Sequence, residues 1–358
     1  MIENDKYYRN KRLHGKTFAN AFIYIDEKCN MFCKHCYLGE RLSNPKKMSR
    51  QQIVDFLMFF KVHLTKKCTI IGGEPTLSDD LFFTIKKINE FGMDCILDTN
   101  GWFNQSLYDH ISHTELEYLS FSLDSASAEY HDSQRRKGSF QKAVANIKYA
   151  IKKGFCVRII PTITKRNQHC ANDILKLGEQ LGVSSVNFHS VTRAGNAKQR
   201  SEDICLEPEE WIKFYADLET HKNKYSFNIW YPPTYAYKND LIKFNEKGYK
   251  GCVGRTIDRI SVFPNNTCYI CSLFFDEDKE HHGKSNGYFG KFENRKFLLN
   301  FDNNNEMNHF INTASKCYSC DYVSICYRGC PFEQSIDNES FCDEHKIFPM
   351  CRLWKTQV

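Results

Sequence analysis

The sequence predicts an α/β protein in which a partial (β/α)6 parallel barrel precedes a C-terminal cysteine-rich domain that contains a β-hairpin. Three observations support this prediction. Short apolar runs alternate with helix-like runs up to about Leu206, the alternation then stops, and cysteines are concentrated in the last third of the chain. Strand–helix units in series favour a parallel sheet with right-handed crossovers, because each helix returns the chain to the start of the next strand.

Six short runs are predicted to be strands of this barrel. They are Phe22–Ile25, Cys68–Ile71, Asp94–Asp98, Leu119–Leu123, Val157–Thr162 and Ser185–His189. In parallel sheets ligands bind at the carboxyl ends of the strands, so we expect functional residues directly after each run.

The helices between these strands are predicted from apolar periodicity and from residues typical of helix ends. Ser49 and Ser139 are predicted N-caps, and Gly154 and Gly182 are predicted to end the helices that precede them. The predicted helices are Ser49–Lys61, Leu81–Phe91, Phe140–Lys153 and Ala171–Leu181.

The chain is predicted to have three parts: the barrel at 1–205, a bridging helical and aromatic segment at 206–251, and the cysteine-rich domain at 252–358. In the last part, Arg259–Pro264 and Thr267–Phe274 are expected to form a hairpin, since the asparagine pair between them tolerates positive φ. Beyond the hairpin the cysteines are too closely spaced for regular secondary structure, so ligand bonds should stabilise that end.

Charge and hydropathy argue against several classes of function. The net charge is +6 and the lysines are scattered, so no nucleic-acid partner is expected. No apolar stretch reaches the length of about 18 residues that a membrane span needs, and the N-terminus lacks the apolar core of a signal peptide. We therefore expect a cytoplasmic protein with no membrane partner.

The chain contains seventeen cysteines. In a chain without a secretion signal, metal or cluster ligation explains so many cysteines better than disulfides do. One group lies near the N-terminus and another in the last third. The isolated cysteines between the groups are expected to be small buried hydrophobic residues; they are Cys68, Cys95, Cys156, Cys170 and Cys205.

Cys29, Cys33 and Cys36 follow the first predicted strand with CxxxCxxC spacing. Three thiolates can hold one face of a 4Fe–4S cluster and leave its fourth iron without a protein ligand, whereas a complete site usually has four. A structural zinc site is the alternative, although zinc prefers paired CxxC motifs and four protein ligands.

A second motif, Gly72-Gly73-Glu74-Pro75, follows the second predicted strand. Its glycines would let the backbone approach a ligand, and Glu74 offers a carboxylate to a cationic group. Together, the CxxxCxxC and GGEP motifs resemble those of the radical S-adenosylmethionine (SAM) superfamily, and the resemblance spans about residues 22–196. It implies a 4Fe–4S cluster on the three cysteines, whose open iron is bound by the amino and carboxylate groups of SAM.

The resemblance also implies which residues contact SAM. His35 stands where the family has an aromatic contact to adenine, and its flat imidazole suits that role. Arg135, with His131-Asp132 and Gly138–Phe140, resembles a loop and helix start of SPASM-bearing members. The residues implied in cofactor binding are Tyr24, His35, Gly72, Gly73, Glu74, Asn100, Ser122, Asp124 and Arg193.

The C-terminal cysteines resemble those of the SPASM domain. The central signature matches Cys317-x2-Cys320-x5-Cys326-x3-Cys330, and Cys252 and Cys271 match the upstream pair. This resemblance implies two auxiliary 4Fe–4S clusters. One would be held by Cys317, Cys320, Cys326 and Cys351, and the other by Cys252, Cys271 and Cys330.

Two ligand assignments stay open in this region. The fourth ligand of the second auxiliary cluster is Asp258, Cys268 or none, although Cys268 should face away from Cys271 in a regular strand. Cys342 is an alternative to Cys351 as the terminal ligand. A zinc-stapled domain is the alternative for the region as a whole.

The resemblance implies an activity. The reduced N-terminal cluster would cleave SAM to a 5′-deoxyadenosyl radical, which takes hydrogen from a substrate. SPASM-bearing relatives commonly cross-link or dehydrogenate side chains of a ribosomally synthesised precursor peptide, and we expect that function here. The implied partners are the precursor peptide and a reductant such as flavodoxin or ferredoxin. Because few residues precede the first strand, leader binding is expected to need either a separate protein or direct docking on the SPASM hairpin.

Two other functions remain open. One is oxidation or rearrangement of a small molecule such as a sugar or aminocyclitol, and the other is a non-catalytic, metal-stapled binding protein. Sulfatase-maturase activity is disfavoured, because Ser272 follows Cys271 where that branch has aspartate. No catalytic base is assigned; the candidates on the expected substrate side are Asp258, Tyr269 and Asp276.

Overall fold

The computed structural model of the protein describes residues 17–231, 234–246, 258–277, 288–293, 296–299, 332 and 347–349. Its strands are β1 Asn20–Asp26, β2 Lys67–Gly72, β3 Asp94–Thr99, β4 Tyr118–Ser122, β5 Val157–Ile160, β6 Thr162–Ile163, β7 Ser185–Asn187, β8 His189–Ser190, β9 Asn228–Trp230, β10 Tyr235–Tyr237, β11 Arg259–Val262, β12 Thr267–Tyr269, β13 Tyr288–Glu293, β14 Lys296–Leu299 and β15 Ile347–Pro349.

The described α-helices lie mainly between the parallel strands. They are α1 Arg50–Val62, α2 Leu81–Glu90, α3 Ala128–Gln134, α4 Ser139–Lys152, α5 Ala171–Leu181, α6 Ser201–Ile204, α7 Pro208–His221, α8 Leu241–Glu246 and α9 Phe274–Glu277. Short 3₁₀ helices occupy Gly39–Ser43, Pro75–Leu77, Gln105–Asp109, His113–Glu115, Gln168–Cys170, Gly195–Arg200 and Lys238–Asp240.

One large sheet contains eleven of these strands, in the order β14-β13-β12-β11-β1-β2-β3-β4-β5-β7-β9. Pairing is parallel from β11 through β1 to β9, and antiparallel from β11 to β14. All six predicted strands lie in the parallel part, which confirms the α/β prediction. No ladder joins β9 to β14 in the described part of the chain, so the sheet is open.

The parallel sheet extends beyond the six predicted strands at both edges. β9 from the predicted bridging segment pairs with β7. β11 pairs with β1 in register, with Asn20 opposite Arg259. The hairpin predicted for the cysteine-rich domain is therefore continuous with the barrel sheet, so one wall of the barrel comes from the later part of the chain.

The hairpin turn has the predicted conformation, but its second strand is shorter than predicted. Asn266 adopts φ +66°, as expected for asparagine in a turn. Val262 pairs with Cys268 on either side of that turn. The prediction of a strand to Phe274 was wrong, because β12 ends at Tyr269 and α9 begins at Phe274.

Two other local predictions were wrong at their ends. Pro161 interrupts the predicted fifth strand, and the chain continues as β6, which pairs with β8 in a separate two-stranded sheet; proline has no N–H to donate to a ladder. Ser139 is the first helical residue rather than the N-cap of α4, since Gly138 is the N-cap. The Asp132 carboxylate accepts from the Gly138 and Phe140 backbone amides there.

The remaining predicted helix ends agree with the structure. Ser49 caps α1 and forms a reciprocal capping box with Gln52. Gly154 follows the end of α4 with φ +88°, and Gly182 is the C-cap of α5 with φ +77°. Glycine suits these helix ends because the left-handed backbone conformation there is unfavourable for residues that have a Cβ atom.

A continuous apolar core fills the space between the sheet and its helices. Three of the isolated cysteines, Cys68, Cys95 and Cys205, are buried as predicted. Cys156, directly before β5, is exposed, and Cys170, before α5, is half-buried, so the prediction was wrong for these two. Among the described residues, no helix is both long and apolar enough to cross a membrane.

Candidate active site at the carboxyl ends of the strands

A cavity of about 250 Å³ lies where the strands of the parallel sheet end. Its walls come from the segments that follow β1, β2, β3, β4 and β7, together with β11 and the turn after β12. Ligands bind at this edge of parallel α/β sheets. The cavity therefore occupies the position predicted for the functional residues.

The loop after β1 brings Cys29, Cys33 and Cys36 to one side of the cavity. Met31 between them is 1% exposed and also lines the cavity, whereas the neighbouring Phe32 is 77% exposed. The loop therefore has an inner face that carries the thiols and an outer face in solvent.

Hydrogen bonds from distant segments hold this loop. The Glu74 amide donates to the Lys28 carbonyl at 2.7 Å. Asn196 contributes twice: its backbone N–H donates to the Cys36 carbonyl at 2.8 Å, and its side-chain amide donates to the Cys33 carbonyl at 2.9 Å. The three cysteines are thus positioned by the segments after β2 and β8.

The two glycines of the GGEP motif are needed for backbone packing. A Cβ at Gly72 would lie 2.1 Å from the Asp26 carbonyl oxygen. A Cβ at Gly73 would lie 2.4 Å from the carbonyl oxygens of both Glu27 and Lys28. The sequence predicts these glycines because they let the backbone approach a ligand. The structure adds a second reason for glycine at both positions, which is that the motif packs against the segment that leads into Cys29.

Glu74 is completely buried and lines the cavity. Its Oε1 accepts from the Thr76 and Thr99 hydroxyls at 2.6 and 2.7 Å, and its Oε2 accepts from the Asn100 backbone amide at 2.6 Å. Burial raises the pKa of Glu74 above its usual value, and these hydrogen bonds oppose that shift. A cation in the cavity would favour the charged carboxylate.

Burial disfavours the thiolate form of Cys29 and Cys33 when no cation lies beside them. Burial raises the pKa of Cys29 to about 11 and that of Cys33 to about 12. The Cys29 sulfur accepts from the Met31 amide at 3.4 Å. Arg135 Nη1 lies 4.0 Å from the Cys33 sulfur and lowers the pKa of Cys33 in part. Metal ions deprotonate coordinating thiols.

The three cysteines of one loop are compatible with a cluster. Within the described residues, no three His, Cys, Asp or Glu side chains are close enough to hold one metal ion. Tetrahedral zinc needs its ligands to converge at about 2.3 Å. In a cubane cluster each thiolate binds a different iron, so three cysteines on one loop need not converge.

A buried ion pair lies beside the cysteine loop. Arg135 donates to both carboxylate oxygens of Asp124, from Nε at 2.6 Å and from Nη2 at 2.9 Å. Burial alone would raise the pKa of Asp124, but Arg135 holds it well below the usual range. Arg135 also lines the cavity, whereas Asp124 is not among the lining residues. Asp124 therefore orients the guanidinium instead of facing a ligand.

His35 lines the cavity as an uncharged ring. Its Nε2 lies 3.7 Å from Asp124 Oδ2, and its side chain is 8% exposed. Burial lowers the pKa of His35 to about 4, although Asp124 opposes the shift. Its Nδ1 is buried and has no hydrogen-bond partner within the described residues. A flat neutral ring with a free polar atom suits contact with a heteroaromatic base.

The other predicted cofactor residues differ in their placement. Tyr24 lines the cavity, its hydroxyl lies 2.7 Å from the Tyr37 hydroxyl, and its ring stacks on Phe263 at 4.2 Å. Asn100 and Ser122 also line the cavity. Arg193 is half-buried and is not among the described lining residues.

The predicted residues of the later chain are only partly within the described residues. Cys271 is half-buried, and Cys268 is fully buried in the apolar core, where burial raises its thiol pKa well above the usual value. This environment does not favour Cys268 as a ligand. The predicted ligands outside the described residues are Cys252, Cys317, Cys320, Cys326, Cys330, Cys342 and Cys351.

Two of the three candidate catalytic residues, Tyr269 and Asp258, are not among the described lining residues of the cavity. Tyr269 is 1% exposed, and its ring packs against Phe263 and Phe275 in the core. Asp258 is half-buried beside β1, where its backbone carbonyl accepts from the Ala19 amide. Asp276 lies on α9. The lining residues from this part of the chain are Arg259, Ser272 and Leu273.

Sequence reasoning did not assign two residues that the structure brings to the site. Arg135 was noted only as part of a family-like loop, and its bidentate partner Asp124 lies eleven residues earlier. Asn196 follows Arg193 by three residues, and its side-chain amide donates to the backbone of the cysteine loop. The sequence signal available for Arg135 was an acidic residue after the fourth strand, followed by an arginine after the next helix.

The cavity architecture defines a class of protein. A parallel sheet that brings a CxxxCxxC loop and a buried GGEP glutamate into one cavity is typical of radical SAM domains. Residues 23–178 match the sequence model of the Radical SAM superfamily, and the chain carries a radical SAM domain.

Curated relatives match about half of this chain or somewhat more. The AdoMet-dependent heme synthase of Oleidesulfovibrio alaskensis is 27% identical over 54% of this chain and 51% of its own length. The pre-heme d1 synthase of Dinoroseobacter shibae is 28% identical over 50% of this chain and 45% of its length. A protein of Archaeoglobus fulgidus named Probable GTP 3′,8-cyclase is 29% identical over 60% and 69%. The chain thus spans about half the length of the first two relatives.

Solved structures share the fold over most of the chain. Streptococcus suis SuiB bound to precursor peptide SuiA has a TM-score of 0.71, with 14% identity over 91% of this chain and 74% of that chain. Native anSMEcpe with bound AdoMet has a TM-score of 0.62, with 17% identity over 87% and 89%. At this identity the similarity establishes the fold alone.

The residues of the cavity fit the two cofactors that the superfamily implies. Cys29, Cys33 and Cys36 provide three thiols of the kind that hold a 4Fe–4S cluster. Glu74 and Arg135 provide an anion and a cation for the ammonium and carboxylate of SAM. The unpartnered Nδ1 of His35 provides a polar atom for a base.

Proposed function

We propose that this protein is a radical SAM oxidoreductase that oxidatively modifies side chains of a ribosomally synthesised precursor peptide. The observation that supports the radical chemistry is the convergence of three cysteines and Glu74 on one cavity. In this proposal Cys29, Cys33 and Cys36 hold the cluster, and SAM occupies the cavity beside Glu74.

The residues of the chain bind, orient and shield the cofactors. When bound together, cluster and SAM supply a radical that removes a hydrogen atom from the substrate. In this proposal Glu74 would accept from the ammonium group of SAM, and Arg135, which Asp124 orients, would face its carboxylate. Apolar side chains such as Phe22 and Ile160 also line the cavity and reduce the access of water.

A peptide substrate is supported by the fold. SuiB, which has the most extensive fold similarity described above, was solved with a precursor peptide bound. In our chain, Arg259 of β11 and the Ser272-Leu273 turn form one wall of the cavity. A substrate that contacts the hairpin would therefore also reach the SAM site.

The proposal includes a SPASM domain at 252–358 after a barrel at 1–205 and a bridging segment at 206–251. Its two auxiliary 4Fe–4S clusters would take up the electron that remains after hydrogen abstraction, so the net reaction would be a cross-link or a dehydrogenation. The half-buried position of Cys271 next to the cavity-lining Ser272 is compatible with a ligand there.

The class of reaction is tested by anaerobic reconstitution. Wild type should bind about twelve irons in three cubane clusters, and the Cys29/Cys33/Cys36→Ala variant about eight. Only wild type should form 5′-deoxyadenosine from SAM and dithionite. Zinc in place of iron, or 5′-deoxyadenosine formation by the variant, would contradict the proposal.

The substrate is tested separately. Wild-type enzyme with SAM and a reductant is incubated with each short peptide encoded beside its gene. Mass spectrometry should show loss of two hydrogens from the modified peptide. SAM cleavage without any change in these peptides would support the second candidate.

The second candidate is radical oxidation or rearrangement of a small molecule. The sequence relatives named above are heme synthases and a GTP cyclase, and their names refer to small molecules. A cavity of about 250 Å³ also suits a small cofactor and substrate. A product formed from a sugar nucleotide or tetrapyrrole extract, with the peptides unchanged, would decide for this function.

A further inference from the structure

The outer face of the cysteine loop has an exposed aromatic residue at its tip. Phe32, between Cys29 and Cys33, is 77% exposed, more than any other large hydrophobic side chain in the described part of the chain. Its neighbours Met31 and Cys33 are at most 9% exposed and line the cavity. Only the thickness of this loop therefore separates Phe32 from the thiols.

Basic residues lie on two segments that hydrogen bonds join at this tip. The Lys34 amide donates to the carbonyl of Gln134, the last residue of α3, at 2.9 Å, and Arg136 Nη1 donates to the Asn30 carbonyl at 2.8 Å. Residues 28–37 and 134–138 contain no aspartate or glutamate. Besides Arg135, which pairs with Asp124, the lysines and arginines of these two segments are Lys28, Lys34, Arg136 and Lys137.

Within the described part of the chain, no acidic side chain neutralises these charges. None of the four forms an ion pair with another described residue, whereas lysines elsewhere, such as Lys47 and Lys165, do. Arg136 stacks over the Trp102 ring at 4.4 Å, which fixes its guanidinium at the surface. The face formed by Phe32 and the four cations, called here the basic loop face, therefore has one cation held in place by stacking and no ion pair to another described residue.

We propose that the basic loop face is the docking surface for an acidic one-electron carrier protein that reduces the cluster. This inference rests on the proposed radical SAM function. The charge favours an acidic partner, because complementary surfaces steer encounter and fix orientation. Exposed Phe32 supplies an apolar contact at the centre, and electron-transfer complexes need only small interfaces, below about 1,200 Å².

The position explains why this face would be used. The inner face of the loop lines the cavity assigned to SAM, so the outer face is the direct route from solvent to the three cysteines. In each encounter one electron leaves the reduced cofactor of the carrier and enters the cluster. The carrier is oxidised by one electron, the cluster is reduced by one, and no bond or atom is exchanged between the two proteins.

The test uses reconstituted full-length enzyme and stopped-flow absorbance of cluster reduction. The reductants are an acidic flavodoxin in its fully reduced form and, for comparison, the reduced methyl viologen cation. The variants are Lys28→Glu/Lys34→Glu/Lys137→Glu and, without a charge change, Phe32→Ser. The matched control, Lys148→Glu/Lys152→Glu/Lys213→Glu, changes three exposed lysines on helices α4 and α7.

With flavodoxin at low salt, the basic-loop triple variant should react about 10- to 100-fold more slowly than wild type, with a weaker salt dependence. Phe32→Ser should slow the reaction several-fold, and the control triple variant should not. None of the variants should be slowed with methyl viologen. Equal flavodoxin rates in the two triple variants would overturn the proposal, as would equal slowing with both reductants.

Failure of this proposal is distinguishable from failure of the proposed function. If wild type binds no cluster or forms no 5′-deoxyadenosine with dithionite, the radical SAM function itself fails. If dithionite supports SAM cleavage but flavodoxin reduces wild type and the basic-loop variant alike, only the docking surface fails. A change in oligomeric state of the Phe32→Ser variant, with its flavodoxin rate unchanged, would assign Phe32 to self-association and overturn its role here.

Discussion

The cysteines of the loop after β1 and the cysteines of the strands occupy opposite environments. Cys29, Cys33 and Cys36 lie on an irregular loop whose backbone is held by polar groups from other segments. Cys68 and Cys95 are paired neighbours on β2 and β3, at most 1% exposed, in an apolar core. The difference teaches that hydrogen bonds to the backbone of an irregular loop can present thiols to a cavity, even where a thiol such as Cys33 is itself buried.

Removal of a thiol should therefore reduce iron binding and SAM cleavage in the loop but stability in the strands. We expect Cys33→Ala to lose about four irons and to reduce SAM cleavage by on the order of 10⁴-fold, because the three thiols act as a unit. Cys95→Ala should keep its iron and lose about 1 kcal/mol of stability through a small cavity. Iron analysis, 5′-deoxyadenosine assays and urea unfolding of the apo-proteins measure both properties.

The two variants should differ in opposite ways, since one loses iron and the other loses stability. The assigned roles would be wrong if reconstituted Cys95→Ala lost iron. They would also be wrong if reconstituted Cys33→Ala kept its iron while its apo-protein was less stable than that of Cys95→Ala. Cys68→Ala serves as a second core control, since its side chain is also fully buried.

The next largest effect concerns the backbone contact that supports the loop. Gly73→Ala would place a Cβ 2.4 Å from two carbonyl oxygens, which cannot move without shifting the segment before Cys29. We expect a loss of about 3 kcal/mol in the free energy of unfolding. Gly92→Ala is the matched control, because its φ of +78° is left-handed but nothing lies within 4 Å of its Cβ.

The control separates a steric cost from a conformational cost. Gly92→Ala should lose about 1 kcal/mol and bind a full complement of iron. Gly73→Ala should also load less iron at the loop, which urea unfolding and iron analysis together will show. Equal losses in the two variants would mean that the contact between the GGEP motif and the loop is not tight.

The comparison also shows what the sequence could and could not predict. Strand positions, the loop cysteines and Glu74 were accessible, because apolar runs and motif spacing are local properties of the chain. The pairing of β11 with β1, and the contact of Asn196 with the cysteine loop, join residues more than 150 positions apart. No local pattern encodes such a contact, and the same is true of Tyr269, which alternation alone could not assign to the core.

The smallest predicted effect is on how the stability of the protein depends on pH. His131 is fully buried behind the loop, and its Nδ1 accepts from the Asp124 backbone amide at 3.1 Å. Burial lowers the pKa of His131 to about 4, although Asp124 opposes the shift. The unfolded chain, with a histidine pKa near 6.5, therefore binds more protons than the folded chain between about pH 6.5 and pH 4. Stability from the neutral ring is present above that window and is lost as the pH falls through it.

We expect His131 to contribute about 1–2 kcal/mol to the loss of stability of the apo-protein between pH 7 and pH 5. In His131→Gln, which cannot titrate, that part of the pH dependence should disappear, whatever the change in stability at pH 7. His110→Gln is the control substitution, because His110 is exposed at the end of the 3₁₀ helix Gln105–Asp109. Urea unfolding at the two pH values measures each difference. Parallel pH profiles for wild type and His131→Gln would mean that the region behind the loop is open to water, and the polar support of the cysteine loop would then be weaker than its hydrogen bonds indicate.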